Sequence, residues 1–73
     1  MPKRPLDVLH AALNQRVVVA LRGGREYRGT LDGYDHPHLN VVMRDAEELK
    51  DGGTVGRFEN ILVRGDAIIY ISP

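Results

Sequence analysis

The sequence predicts an all-β fold that opens with one α-helix. Three observations carry this reading. An apolar stripe at helical spacing is confined to the first thirteen or so residues. Runs rich in valine, isoleucine and tyrosine alternate with polar residues through the rest of the chain. Glycine pairs at Gly23-Gly24 and Gly52-Gly53 punctuate those runs as turns do.

The helix is expected over Pro5 to Leu13. Leu6, Leu9 and Leu13 fall at i, i+3 and i+7 and form one apolar stripe. Pro5 suits a first helical turn, where a missing N–H costs nothing. Asp7 complements the positive end of the helix dipole. Asn14 is a plausible stop.

Arg16 to Arg22 reads as the first strand, with Val17, Val19 and Leu21 on one face. Gly23-Gly24 suits a two-residue hairpin turn of the primed type. The second strand runs from Arg25 to Tyr34, with Tyr27, Gly29, Leu31 and Gly33 on one face. Glycines on a packed face mark a sharp bend or the close approach of another backbone. The third strand is read from Leu39 to Ala46, with Leu39, Val41 and Met43 together. Glu47 to Gly53 reads as a polar connection ending in Asp51-Gly52-Gly53. The fourth strand is expected over Thr54 to Val63 and the fifth over Asp66 to Ile71, joined by an Arg64-Gly65-Asp66 turn. One helix followed by five short antiparallel strands implies a small, strongly bent open barrel with the helix capping one end. Residues 1–73 fit a single domain, with the helix over 5–13 and the barrel over 16–71.

Composition narrows the function. With 42% hydrophobic residues the chain is globular rather than disordered. A domain of this size buries only about 60% of its unfolded surface. Small domains compensate with disulfides, metals or oligomerisation. With no cysteine, disulfides and cysteine-type zinc sites are excluded. Oligomerisation is left as the main route. The consecutive apolar residues Ile61, Leu62 and Val63, and Ile68 to Ile71, support it, because both faces of these strands ask for cover. A head-to-tail pairing of edge strands closes into a ring where the rotation permits. The simpler alternative is that these residues fill the monomer's own core.

Ten basic residues balance ten acidic ones, which argues against a nonspecific duplex-DNA binder. Single-strand binding through stacking and hydrogen bonds is compatible with zero net charge. Eight of the ten basic residues are arginine, which both stacks and makes forked hydrogen bonds. No apolar run approaches the ~18 residues of a membrane span, and no signal-peptide core follows Met1-Pro2-Lys3-Arg4-Pro5. The expected location is the cytoplasm.

Two segments can carry chemistry. In Asp35-His36-Pro37-His38-Leu39-Asn40, His38 offers a flat ring and Asn40 an amide two residues away. That pair can stack on a base and read its edge, although composition alone favours a polar turn in which Pro37 restricts the loop and Asn40 caps backbone groups. In Arg64-Gly65-Asp66, Gly65 suits a tight turn, including one with positive φ. Arg64 presents a planar cation beside Asp66. The bland reading is a surface hairpin with a local ion pair.

The pattern Val19-x-Leu21-x-x-Gly24…Tyr27-x-Gly29-x-Leu31…Asp35…His38-Leu39-Asn40-Val41-x-Met43 resembles the first motif of the Sm-like (Lsm) family. Ile61-Leu62-Val63-Arg64-Gly65-Asp66-x-Ile68-x-Tyr70-Ile71-x-Pro73 resembles the second. Order and separation match, and the likeness covers nearly the whole chain. The short form is most similar to archaeal members. Bacterial Hfq, the other ring-forming branch, has a different second motif. The resemblance implies the Sm fold, a closed homo-oligomeric ring of usually seven subunits joined through strands four and five, and uridine-rich single-stranded RNA along the inner rim. It implies a ribonucleoprotein or RNA-processing role.

Carried over, His38 and Arg64 would stack on the two faces of a base. Asn40 would hydrogen-bond its edge, Asp66 would orient Asn40, and Gly65 would add backbone contacts. A second nucleotide site on the helix face would involve Arg4 and Tyr34. The family usually has one residue between the aspartate and the stacking position. Here His36 and Pro37 both intervene, which leaves the role of Asp35 open.

Other functions find less support. Arg64-Gly65-Asp66 spells a cell-adhesion tripeptide, but nothing else suggests an extracellular life. An enzyme would need a nucleophile, and the single serine is Ser72. Asp35, His36 and His38 offer a metal only three clustered ligands. No catalytic residue, cofactor, metal, membrane or small-molecule substrate is therefore expected. The serious alternative is a structural ring or scaffold that binds no RNA.

Overall fold

The computed structural model describes residues 5–72. Its elements are α1 (Pro5–Ala11), β1 (Arg16–Leu21), β2 (Arg25–Tyr34), β3 (Val41–Lys50), β4 (Gly53–Val63), a single 3₁₀ turn (Gly65–Ala67) and β5 (Ile68–Ser72). The five strands form one sheet in the order β4-β3-β2-β1-β5, with every neighbouring pair antiparallel. The expected helix-plus-five-strand architecture holds.

The helix is shorter than the stripe suggests. It ends at Ala11, and residues 12–14 form a turn. Asn14 has φ +65, the left-handed conformation that asparagine tolerates at a helix exit. Two bonds then fasten this exit to the middle of β2. The Asn14 N–H donates to the Leu31 carbonyl at 2.7 Å, and the Leu31 N–H donates to the Gln15 carbonyl at 3.0 Å. Leu9 and Leu13 pack against the core, whereas Leu6 is exposed.

The core follows the predicted faces of β1 and β2. Val17, Val19, Tyr27 and Leu31 are buried together with Ala12, Val41, Met43, Ala46 and Val63. The two glycines of β2's inner face differ in purpose. A Cβ on Gly29 would lie 2.9 Å from the Ala46 Cα and 3.0 Å from the Arg44 carbonyl oxygen, so β3 crosses it at backbone distance. A Cβ on Gly33 would meet nothing within 4 Å; here the register slips between Leu31 and Gly33 and the strand bends. At the β1–β2 turn, Gly23 and Gly24 both have positive φ, as a primed hairpin requires.

Three sequence-based expectations are corrected. Leu39 lies outside β3, exposed and at φ +57. The strand starts at Val41 and runs on through Glu47, Glu48 and Leu49 to Lys50, all of which read as a polar connection. The reason is a bulge. Asp45 sits at φ +51, so the buried positions change phase from Val41 and Met43 to Ala46 and Leu49. The charged residues lie on the less buried positions of this long hairpin arm. The fifth strand starts at Ile68, because residues 65–67 form the 3₁₀ turn.

The third correction concerns the closing segment. β4 and β5 are not a hairpin; they are the two opposite edges of the sheet. Val55, Phe58 and Leu62 on β4, and Ile69 and Tyr70 on β5, are exposed large hydrophobic residues. Leu62 is 64% and Ile69 63% exposed, so the monomer core does not absorb them.

Candidate nucleic-acid interface

The β2–β3 loop and the 3₁₀ turn meet at one end of the barrel. The loop is closed by its own ends. The Asp35 N–H donates to the Asn40 carbonyl at 3.0 Å. The Asn40 N–H donates to Asp35 Oδ1, and Asn40 Nδ2 donates to Asp35 Oδ2, each at 2.9 Å. The four residues between, His36 to Leu39, form the tip of the loop. The extra residue is thus accommodated within the tip, and Asp35 acquires a definite part as the clasp that holds Asn40. These bonds also hold the Asp35 carboxyl below the usual carboxylate range, the Asn40 side-chain bond contributing most.

From the other side, the Gly65 N–H donates to Asn40 Oδ1 at 2.8 Å. The Asn40 amide is therefore held with a defined polarity: its oxygen faces a donor and its nitrogen faces a carboxylate. One N–H and one acceptor lone pair remain to it. The orientation role expected of Asp66 belongs instead to Asp35 and Gly65. Asp66 engages Arg64, whose Nη2 donates to Oδ2 at 2.9 Å. A glycine is required at position 65 for space and not for a positive φ. A Cβ there would collide with the His38 carbonyl oxygen and lie 2.8 Å from the Leu39 oxygen.

His38, Asn40, Leu62, Arg64 and Asp66 line one open concavity. His38, Asn40, Arg64 and Asp66 are thus brought together, and Gly65 joins them through its N–H bond to Asn40. Leu62 also lines the concavity, at the end of an apolar run whose local pattern reads as interface rather than site. His38 and Arg64 are both exposed. The Arg64–Asp66 ion pair has side chains 78% and 67% exposed, so it contributes little stability and leaves Arg64 free to rearrange. The concavity offers a planar ring, a planar cation and an oriented amide, which is the equipment for holding one unpaired base.

Of the second suggested site, Arg4 lies outside the described residues. Tyr34 is half-buried, with its hydroxyl 3.3 Å from His10 Nδ1 on the helix. Among the described residues no three His, Asp or Glu side chains converge to hold a metal ion, and no helix is long and apolar enough to cross a membrane.

A small bent barrel of this strand order, with a capping helix and two uncovered edge strands, defines a protein of the Sm class of β-folds. The LSM domain model matches residues 7–73, and the chain belongs to the Sm-like (LSM-domain) family. An Sm-like protein of Archaeoglobus fulgidus is 52% identical over 73 residues, covering all of this chain and 94% of the relative. The structure of the Pyrococcus abyssi Sm protein in complex with a uridine heptamer is similar with a TM-score of 0.93 and 52% identity, covering 97% of this chain and 99% of that one. The SmAP1 heptamer of P. aerophilum gives a TM-score of 0.88 at 33% identity, covering 100% and 96%.

Proposed function

We propose that this chain assembles into a closed homo-oligomeric ring, a heptamer, and binds uridine-rich single-stranded RNA around its inner rim. The observation that carries the reading is the Asn40 amide, fixed in polarity by Gly65 and Asp35 between His38 and Arg64. Uracil presents an N3–H donor beside the O4 acceptor. An amide with one acceptor lone pair and one N–H to offer complements that edge. Cytosine presents the reverse order, N3 acceptor beside an N4 donor, and the clasp prevents the amide from turning to suit it. His38 and Arg64 supply the two stacking faces, Arg64 being free to leave its exposed pair with Asp66.

Ring formation follows from the exposed edges. Pairing β4 of one subunit with β5 of the next covers Leu62, Ile69 and Tyr70 and continues the sheet from subunit to subunit. The uridine-bound and heptameric relatives support both halves of the reading. Repetition around a ring brings several Arg64 guanidiniums to the lumen, each beside its own Asp66. Several sites gripping one strand then raise the effective concentration for the next contact. The role is that of a binding module in RNA processing or ribonucleoprotein assembly, in the cytoplasm, with no catalytic residue, cofactor or small-molecule substrate.

Native mass spectrometry with and without a uridine heptamer tests ring and ligand together. His38→Ala or Arg64→Ala should weaken oligouridine by about 1–3 kcal/mol per stacked base with the ring intact. The salt dependence should be shallower than that of a phosphate-dominated binder. An intact ring that ignores oligouridine would show the protein to be a scaffold instead.

A further inference from the structure

We infer that Arg22 is a positioning residue for the base site, acting on it from the β1–β2 turn by holding the 3₁₀ turn in place. This rests on the proposed function. Arg22 reaches across 44 residues of sequence. Its Nη2 donates to the Asp66 carbonyl oxygen at 2.7 Å, and its own backbone N–H donates to the Ala67 carbonyl at 3.3 Å. One residue thus grips two consecutive carbonyls of the turn. The register between β1 and β5 breaks between Ala20 and Leu21, so the sheet ladder is interrupted beside this point. Pairing resumes with Leu21 opposite Ile68, and the Arg22 donors carry it on into the turn.

What the turn carries explains why this matters. Arg64 precedes it, Gly65 donates to Asn40 Oδ1, and the Asp66 carboxylate receives Arg64. The bond within the turn, from the Ala67 N–H to the Arg64 carbonyl at 3.1 Å, fixes its curvature but not its distance from the β2–β3 loop. Arg22 adds a tie to a second, separate part of the barrel. Gly23 and Gly24, both at positive φ, follow it directly and reverse the chain. A guanidinium suits the task because its planar fork is preorganised. Loss of the side-chain bond leaves only the backbone N–H on Ala67, so Gly65 gains freedom relative to Asn40 and the donor that fixes the amide's polarity is weakened. The signature of Arg22 is therefore selectivity for uracil over cytosine, in addition to affinity.

The test compares wild type, Arg22→Ala and Arg22→Lys for binding of oligouridine and oligocytidine across salt concentrations, with ring mass and hydrogen exchange of the Gly65 amide measured in parallel. Expected for Arg22→Ala is an intact ring, a roughly tenfold loss of oligouridine affinity, a narrowed uridine-to-cytidine ratio, faster Gly65 exchange and an unchanged salt slope. Arg22→Lys, which keeps a cationic donor but not the planar fork, should fall between; if Arg22→Ala disperses the ring, this variant decides by the same readouts. Unchanged Gly65 exchange and selectivity overturn the inference. So does an affinity loss with the ratio intact and a salt slope smaller by about one, since Arg22 would then be gripping phosphate directly. Failure of wild type to bind oligouridine refutes the proposed function instead, while the Gly65 amide still reports whether Arg22 holds the turn.

Discussion

Replacing Gly65 by alanine puts the base site under the most direct stress. The new methyl would overlap the His38 carbonyl oxygen and lie 2.8 Å from the Leu39 oxygen and 2.9 Å from the Leu39 carbonyl carbon. All three atoms are backbone, so no side chain can swing aside. Restoring ordinary van der Waals separation requires the turn and the β2–β3 loop to part by roughly 1 Å or more. The Gly65-to-Asn40 bond, now 2.8 Å, does not survive such a shift. The overpacking should cost about 1–3 kcal/mol of stability. The lost bond should cost a further ~1 kcal/mol at the site. Parting also separates His38 from Arg64, so one stacking contact, about 1–3 kcal/mol per base, is forfeited in every subunit. Oligouridine affinity should therefore fall at least tenfold. Fluorescence anisotropy with a labelled uridine heptamer reads the affinity, urea unfolding the stability, and native mass the ring. A variant with wild-type melting and wild-type affinity would refute the steric account of Gly65 and the fixed amide built on it.

Further outcomes follow from other parts of the structure. The Asp35 carboxyl is held below its ordinary pKa, so its bonds to Asn40 stabilise the fold fully above the unfolded value of about 3.9 and fade as pH falls through the lower folded value. A carboxyl-carbon NMR titration should place the Asp35 midpoint below the ordinary range and return it towards that range in Asn40→Ala; a normal midpoint in wild type contradicts the clasp. Gly29→Ala should lose about 1–3 kcal/mol in urea unfolding, because β3 backbone lies 2.9 Å from the added Cβ, whereas Gly33→Ala should be near neutral; equal effects would count against the distinction. Leu62→Asp and Ile69→Asp should each release monomers that keep the wild-type circular dichroism, because a charge would enter the seam without a partner. Rings of unchanged mass would disprove pairing through β4 and β5.

The parts of the fold legible in sequence were those set by local chemistry. Asn14 takes φ +65 at the exit from the helix, as asparagine tolerates, although the helix itself ends three residues earlier at Ala11, and the ends of β2 coincide with Arg25 and Tyr34 as its alternation implies. The errors arose where distant segments decide. Glu47 and Glu48 look like a turn, yet a bulge at Asp45 and the partner strand β4 keep them extended. Arg64-Gly65-Asp66 looks like a hairpin, yet its flanking strands lie at opposite edges, a fact of sheet order that no local pattern encodes. The candidate site shows the same division. His38, Asn40 and Arg64 were readable as residue types able to stack and pair. That Asp35 rather than Asp66 holds Asn40 depends on the loop closing upon itself, with one residue more than the family spacing. Gly65 was expected for its φ and is needed for its missing side chain.

The sheet order also imposes a sequence of events on folding. β1–β2, β2–β3 and β3–β4 are each made between neighbours along the chain, whereas β1 finds its other partner only in β5, with Val18 opposite Ser72. The hairpins can form between neighbouring segments; the last pairing closes the longest loop, with more than forty residues between Leu21 and Ile68. Until β5 docks, Arg22 has no turn to hold, because Asp66 and Ala67 are not yet beside it. An incomplete chain therefore exposes the β1 edge and lacks an assembled base pocket. Under the proposed function, the base site is completed only when β5 docks and brings the turn beside Arg22 and the β2–β3 loop.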